Sequence, residues 1–246
     1  MSKVIVVASG KGGTGKTTVT TSLALALSRK QNKVLVVDCD SGMRGTDMML
    51  GITDRLVHDV SDIIAGTCDF DDALYECPGA KGLYTIAAPI SAEDEVSPQV
   101  MKQFIEEHKN DFDYVLVDAP AGLGTGFEAA AVAADRALIV VNTEPISVRG
   151  GINIREKLTE MGIEDQRLVI NRFDKERFIS TKLYEDLDEI IDTVGVRLIA
   201  LILEDVRIPA LAQRGALATN WSSSGVVFDS LVERINGNDV ALSVKL

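Results

Sequence analysis

Apolar residues follow two rhythms along this chain. Short, nearly unbroken aliphatic runs lie at Val4–Ala8, Lys33–Asp38, Leu83–Ala87, Tyr114–Asp118, Ala137–Asn142, Leu168–Asn171 and Val196–Leu201. Between them come longer stretches whose apolar positions recur every three or four residues. A run of this length without alternation predicts a strand covered on both faces, and the wider spacing predicts a helix with one apolar side. Helices are expected at Thr17–Lys30, Val148–Met161 and Thr181–Val194. Another should start at Ser97-Pro98, a cap followed by a residue suited to a first turn, and run to Asn110. Strand and helix in alternation predict an α/β fold: three layers, a mainly parallel twisted sheet, right-handed crossovers and helices on both faces. No repeat, low-complexity tract or linker breaks the pattern, so one domain is expected over residues 1–246.

Ligands of such sheets sit beyond the carboxyl ends of the strands, and the polar residues of this chain gather at those ends. Lys11 to Thr17 follow the first run, Asp38 and Asp40 end the second, Asp118 ends the fourth, and Asn142 and Asn171 end two later ones. The loop SGKGGTGKTT fits G-x-x-x-x-G-K-[ST] through Gly10, Gly15, Lys16 and Thr17, with Gly12, Gly13, Thr14 and Thr18 completing it. Its glycines let backbone N–H groups turn toward phosphate oxygens, and the following helix adds its positive end. Lys16 is expected to bridge β- and γ-phosphates and the Thr17 hydroxyl to bind Mg²⁺. FDYVLVDAPAG is an apolar strand ending in a carboxylate, so Asp118 is expected to hold the metal through water. The turn after it, with Pro120 and Gly122, could act as a switch, the Gly122 N–H sensing a γ-phosphate. In VVDCDSGMRGTD two carboxylates stand two residues apart and would share a face if the strand continued. Asp40 is then the better candidate to orient an attacking water. Asp38 either supports the metal's water shell or caps the loop.

Composition narrows the partners. The 246 residues are 46% apolar, enough for one sizeable core. Against 25 basic side chains stand 37 acidic ones, a formal net charge of −12, and the basic residues are scattered. Nucleic acid is therefore not an expected partner. Cys39, Cys68 and Cys77 form no C-x-x-C pair, which predicts reduced thiols rather than disulfides or an iron–sulfur cluster. No apolar run reaches 18 residues and no leader pattern precedes Val4, so a cytoplasmic location is expected.

One lysine exceeds what a phosphate loop needs. SGKGGTGKTT, with Lys11 as well as Lys16, resembles the deviant Walker A motif of the MinD/ParA family of ATPases. VVDCDSGMRGTD, the DAPAG turn and the strand ends VVNTEP and VINR are most similar to the MinD branch, over a resemblance running from Val4 through Asn171. The resemblance implies a Mg²⁺-dependent ATPase that forms a nucleotide-sandwich homodimer with ATP. Lys11 would reach the phosphates bound by the other subunit, and Asp40 would activate water. Asn171 and Arg172 would lie beside the base. Glu204-Asp205 resemble the acidic end of a PEDE segment in which Leu203 replaces the proline. It further implies slow hydrolysis serving as a switch in septum placement, activators or effectors of MinE or MinC type, and peripheral attachment at the inner face of the cell membrane. Two features depart from that branch. The last helical pattern, Val226–Ile235, carries Asp229, Glu233 and Arg234 where a lipid-binding helix wants lysine and arginine, and the terminal VALSVKL offers only Lys245. A final helix packed on the sheet is the expected outcome. Gly150-Gly151 replace acidic and polar positions, and disfavour a helix start by about 1 kcal/mol each relative to alanine. The alternative function is a nucleotide-gated scaffold positioning another cargo, of flagellar, secretion or partition type, without direct membrane contact.

Overall fold

The computed structural model describes residues 2–91, 95–212, 214–215 and 225–242. Strands form at β1 (Lys3–Ala8), β2 (Val34–Asp38), β3 (Tyr75–Glu76), β4 (Leu83–Ile86), β5 (Tyr114–Asp118), β6 (Arg136–Val141), β7 (Gln166–Phe173) and β8 (Leu198–Leu203). Helices form at α1 (Lys16–Arg29), α2 (Gly45–Leu50), α3 (Val60–Ala65), α4 (Pro98–His108), α5 (Thr125–Ala131), α6 (Pro145–Glu160), α7 (Lys175–Thr181), α8 (Leu187–Val194), α9 (Arg207–Ala212) and α10 (Gly225–Ile235).

The strands make one sheet in the order β3-β4-β2-β5-β1-β6-β7-β8. Every neighbouring pair is parallel except β3 and β4. Both faces are covered, which is why the central strands have no polar alternation. Val4, Val6 and Ala8 point into the layer of α4, α5, α6 and α8, and Ile5 and Val7 into that of α1, α2 and α10. The expected three-layer α/β architecture is the one observed.

The departures are local. The expected helix Thr181–Val194 is two elements: α7 ends at Lys182, whose φ is +48°, and α8 starts afresh where the Asp186 carboxylate accepts the Glu189 N–H at 3.0 Å. Asn171 lies inside β7 rather than at its end. Strand β2 stops at Asp38, so Asp38 and Asp40 do not share a strand face. The Val226–Ile235 pattern packs as expected: Phe228, Leu231, Val232 and Ile235 of α10 are buried beside α1 and β8. Its apolar side is thus committed to the core and faces no lipid. Lys245 lies outside the described residues.

Gly150 and Gly151 do not open a helix but sit in the second turn of α6. Backbone lies against backbone there: a Cβ on Gly10 would fall inside the Gly150 peptide, one on Gly150 would come within 3.0 Å of the Gly10 Cα, and one on Gly151 within 2.8 Å of Val141. Gly150 lets α6 press on the first turn of the phosphate loop, and Gly151 lets it press on Val141 of β6. Gly10→Ala should therefore cost about 2–3 kcal/mol in urea denaturation of the nucleotide-free protein. A loss under about 0.5 kcal/mol would show that the two backbones separate freely.

Candidate active site

The loop from Ser9 to Gly15 joins β1 to α1, at the carboxyl rim of the sheet, and the first turn of α1 carries Lys16, Thr17 and Thr18. Gly13 and Gly15 have φ of +78° and +88°, a conformation that glycine adopts without steric cost. A second reason applies to Gly15, since a Cβ would collide with the Asn171 amide. Asn171 is buried and donates that amide to the Thr14 carbonyl at 2.8 Å, while Arg172 donates Nη1 to the Gly13 carbonyl at 3.0 Å. Arg172 is also paired with Glu204 at 2.8 Å. Asn171 and Arg172 therefore brace the loop. Together with Leu203, Glu204 and Asp205 they line a cleft of about 260 Å³ beside it.

Lys16 is buried, and the Thr17 hydroxyl donates to Asp118 Oδ2 at 2.7 Å. The Thr20 hydroxyl, one turn further along α1, lies 2.8 Å from Asp118 Oδ1. Asp38 stands level with Asp118 on the neighbouring strand. Both of its oxygens are engaged, one by the Asp40 N–H at 2.9 Å, the other by the Thr46 hydroxyl at 2.8 Å and N–H at 3.2 Å. Asp38 thus holds the loop that follows it. Asp40, half-buried, lies beyond the end of the strand, where the charge of Lys16 of its own chain acts on it.

The electrostatics follow from this packing. Burial, then the neighbouring Asp118 charge, push the Asp38 carboxyl up to about 7, against the hydrogen bonds from Asp40 and Thr46. Burial also raises Asp118, opposed first by Lys16 and then by Thr17 and Thr20. Asp40 is raised by burial and lowered by Lys16. A folded pKa above the unfolded one means that the folded chain holds the proton more tightly. Asp38 therefore favours folding below the unfolded carboxylate range, and that stability is lost as pH rises toward about 7. Urea denaturation of the nucleotide-free protein should show stability falling between about pH 4 and 7, with a shallower slope in Asp38→Asn. An equal slope in that variant would place the titration elsewhere.

The donor set suits a magnesium nucleotide. Mg²⁺ takes oxygen ligands and keeps several waters. A hydroxyl on Thr17 beside the Asp118 carboxylate, with Asp38 adjacent, offers that chemistry, and a divalent cation would relieve the crowding of two buried carboxylates. The Thr14 hydroxyl is buried in the loop and has no hydrogen-bond partner among the described residues, a donor left for a phosphate oxygen.

Lys11 stands apart from this cluster. It is partly exposed at the mouth of the site, and its ammonium pairs with the Glu144 carboxylate. Glu144 precedes the first residue of α6, and its carboxyl is held below the usual range by Lys11. Among the switch residues, Gly122 has φ of +94° and donates its N–H to the Ser9 carbonyl at 3.1 Å, so that donor is already engaged. Pro120 packs against Gly126 at the start of α5. Sequence reasoning did not single out Glu144, Thr20 or Thr46. Thr20 was findable, one helical turn beyond Lys16. Glu144 lies in a loop whose course no periodicity reveals, and Thr46 in the six-residue helix α2, too short for a period to show.

Residues 2–169 match the family model described as an AAA domain. The septum site-determining protein MinD of Synechocystis is 32% identical over 244 residues, covering 98% of this chain and 91% of that protein. The MinC:MinD cell division protein complex of Aquifex aeolicus superposes with a TM-score of 0.89 at 31% identity, covering 99% of both chains. The septum site-determining protein MinD of Pyrococcus horikoshii, solved with Mg-ADP, superposes with a TM-score of 0.84 at 28% identity, covering 96% of both chains. With its buried phosphate-loop lysine, its paired strand-end carboxylates and this agreement along nearly its whole length, the chain belongs to the MinD/ParA family of P-loop ATPases, on its MinD branch.

Proposed function

We propose that this protein is a Mg²⁺-dependent ATPase that closes face to face into a homodimer around ATP, hydrolyses it slowly, and acts as a switch in choosing the site of cell division. One observation carries the reading: the two loop lysines are divided, Lys16 buried beside Asp118 and Asp40, Lys11 partly exposed and paired with the Glu144 carboxylate. Lys16 neutralises phosphate charge within its own subunit. Lys11 can serve a second subunit once it leaves Glu144, and a cation delivered in trans makes dimerisation the condition for turnover, as an arginine finger does. Bound Mg²⁺ would screen the phosphate oxygens, held by Thr17 and, through water, by Asp118 and Asp38. Asp40 orients the attacking water, and the Gly122 N–H must leave Ser9 before it can report on a γ-phosphate. Asn171 and Arg172 hold the loop's shape while the cleft beside them receives the base.

The placement in cell division draws on relatives named for septum site determination and on the Aquifex aeolicus complex of MinC with MinD. By analogy, an effector of MinC type or an activator of MinE type would meet the ATP dimer. The buried apolar side of α10 favours a second reading in one respect, since a scaffold for another cargo needs no lipid contact from that helix. Asp40→Ala should trap the dimer: sedimentation should give a dimer with ATP and a monomer with ADP. A monomer in both would contradict the sandwich.

A further inference from the structure

On the rim opposite the phosphate loop, where β6, β7 and β8 begin and α10 ends, lies a cavity of about 550 Å³. Arg136, Arg167, Arg197, Arg234, Asn238 and Asp239 stand around it. The length of β6 separates it from the nucleotide rim, roughly 17 Å. Four arginines at one mouth are conspicuous in a chain of net charge −12.

Their partners do not cancel them. Asp165 serves two, Arg136 through Nη2 at 2.6 Å and Arg167 through Nη1 at 2.9 Å. Among the described residues Arg234 is held by carbonyls alone: Nε donates to Val240 at 2.9 Å, Nη1 to Ile199 at 2.9 Å and Nη2 to Ala241 at 2.6 Å. Neutral acceptors fix a guanidinium in place but leave its charge uncompensated. Burial accordingly lowers the Arg234 pKa, with no carboxylate to oppose it. Arg197 is exposed, and its side chain makes no hydrogen bond or ion pair among the described residues. Among the described residues, Asp165 and Asp239 are thus the two carboxylates that pair with or line this cluster of four cations. Stapling of the backbone at Val240 and Ala241 accounts for Arg234. It does not account for Arg197, which staples nothing.

We propose that this cavity binds a phosphate-bearing anion of glycerol-phosphate size, free in solution or as the headgroup of an anionic phospholipid. Guanidinium forks match phosphate oxygens two at a time, and an ion pair with an unneutralised arginine costs no existing salt bridge. The volume lies within the range of small-molecule sites, about 300–1,000 Å³. The site is independent of the phosphate loop and of the function proposed for it.

The test keeps the loop filled with saturating Mg-ADP. In one arm glycerol 3-phosphate is titrated while the amide resonances of Gly237 and Asn238 are followed. In the other the protein is floated with phosphatidylglycerol-containing vesicles and with phosphatidylcholine vesicles alone. Saturable binding is expected in at least one arm, with a Kd below about 1 mM for the free anion. Arg197→Gln should weaken it about tenfold or more while leaving Mg-ADP affinity unchanged. The arm that responds identifies the source of the phosphate. Binding in neither arm up to about 10 mM anion, or equal binding by Arg197→Gln, overturns the proposal.

Discussion

Lys16→Ala is expected to lose nucleotide binding, weakening both ATP and ADP by about a hundredfold or more. Two effects act together. The substitution removes the charge that would lie along the β- and γ-phosphates. It also removes the cation that opposes the raised pKa values of Asp118 and Asp40, so an anionic ligand would enter a site already rich in negative charge. Lys16 is buried, so water cannot take over its role cheaply. The fold should survive, because the strand ends are held by Thr17, Thr20 and Thr46 rather than by Lys16. Calorimetric titration with Mg-ADP reads the effect. Affinity within a few-fold of wild type would remove Lys16 from the binding machinery.

Lys11→Ala should behave in the opposite way. Its ammonium pairs with Glu144 and, among the described residues, makes no hydrogen bond or ion pair with those that line the metal and phosphate positions. The ion pair lost is a partly exposed one, worth about 1 kcal/mol at most. ATP should therefore bind within about fivefold of wild type, since that energy bounds the change. Turnover should nevertheless fall by about 10³-fold, the scale of a transition-state cation supplied in trans, and ATP should no longer drive dimerisation. A joint loss of binding and turnover, as for Lys16, would instead make Lys11 an ordinary loop residue.

Comparing the two lysines shows what the chain discloses before folding. The loop was legible because strand, glycines and helix start follow one another without a gap. The central strands were legible because each is apolar on both faces. Short elements were not: β3 has two residues and α2 six, too few for a period to establish itself. The split between α7 and α8 depends on one backbone turn at Lys182 and one cap at Asp186. Gly150-Gly151 read as unfavourable for a helix start because propensity counts only the local chain, whereas here the missing Cβ of Gly150 admits the phosphate loop and that of Gly151 admits Val141. Asp38 and Asp40 read as a pair because β2 could have continued. Its end at Asp38 turns one into a buried loop anchor and leaves the other free beside Lys16.

The central claim is that Lys11 acts on the partner's nucleotide while Asp40 acts on its own. The most direct test is to mix Lys11→Ala with Asp40→Ala, each inactive alone, and measure ATP turnover. In a mixed dimer the site on the Lys11→Ala subunit keeps its own Asp40 and receives Lys11 from the other subunit. Random pairing would make half the dimers mixed with one complete site in each, which sets a ceiling of about a quarter of the wild-type rate. Because Asp40→Ala pairs with itself and Lys11→Ala does not, turnover should rise clearly above that of either variant alone while staying below that ceiling. If Lys11 acts within its own subunit, no complete site can form. The mixture would then stay as inactive as its parts, and the trans-acting account would be wrong.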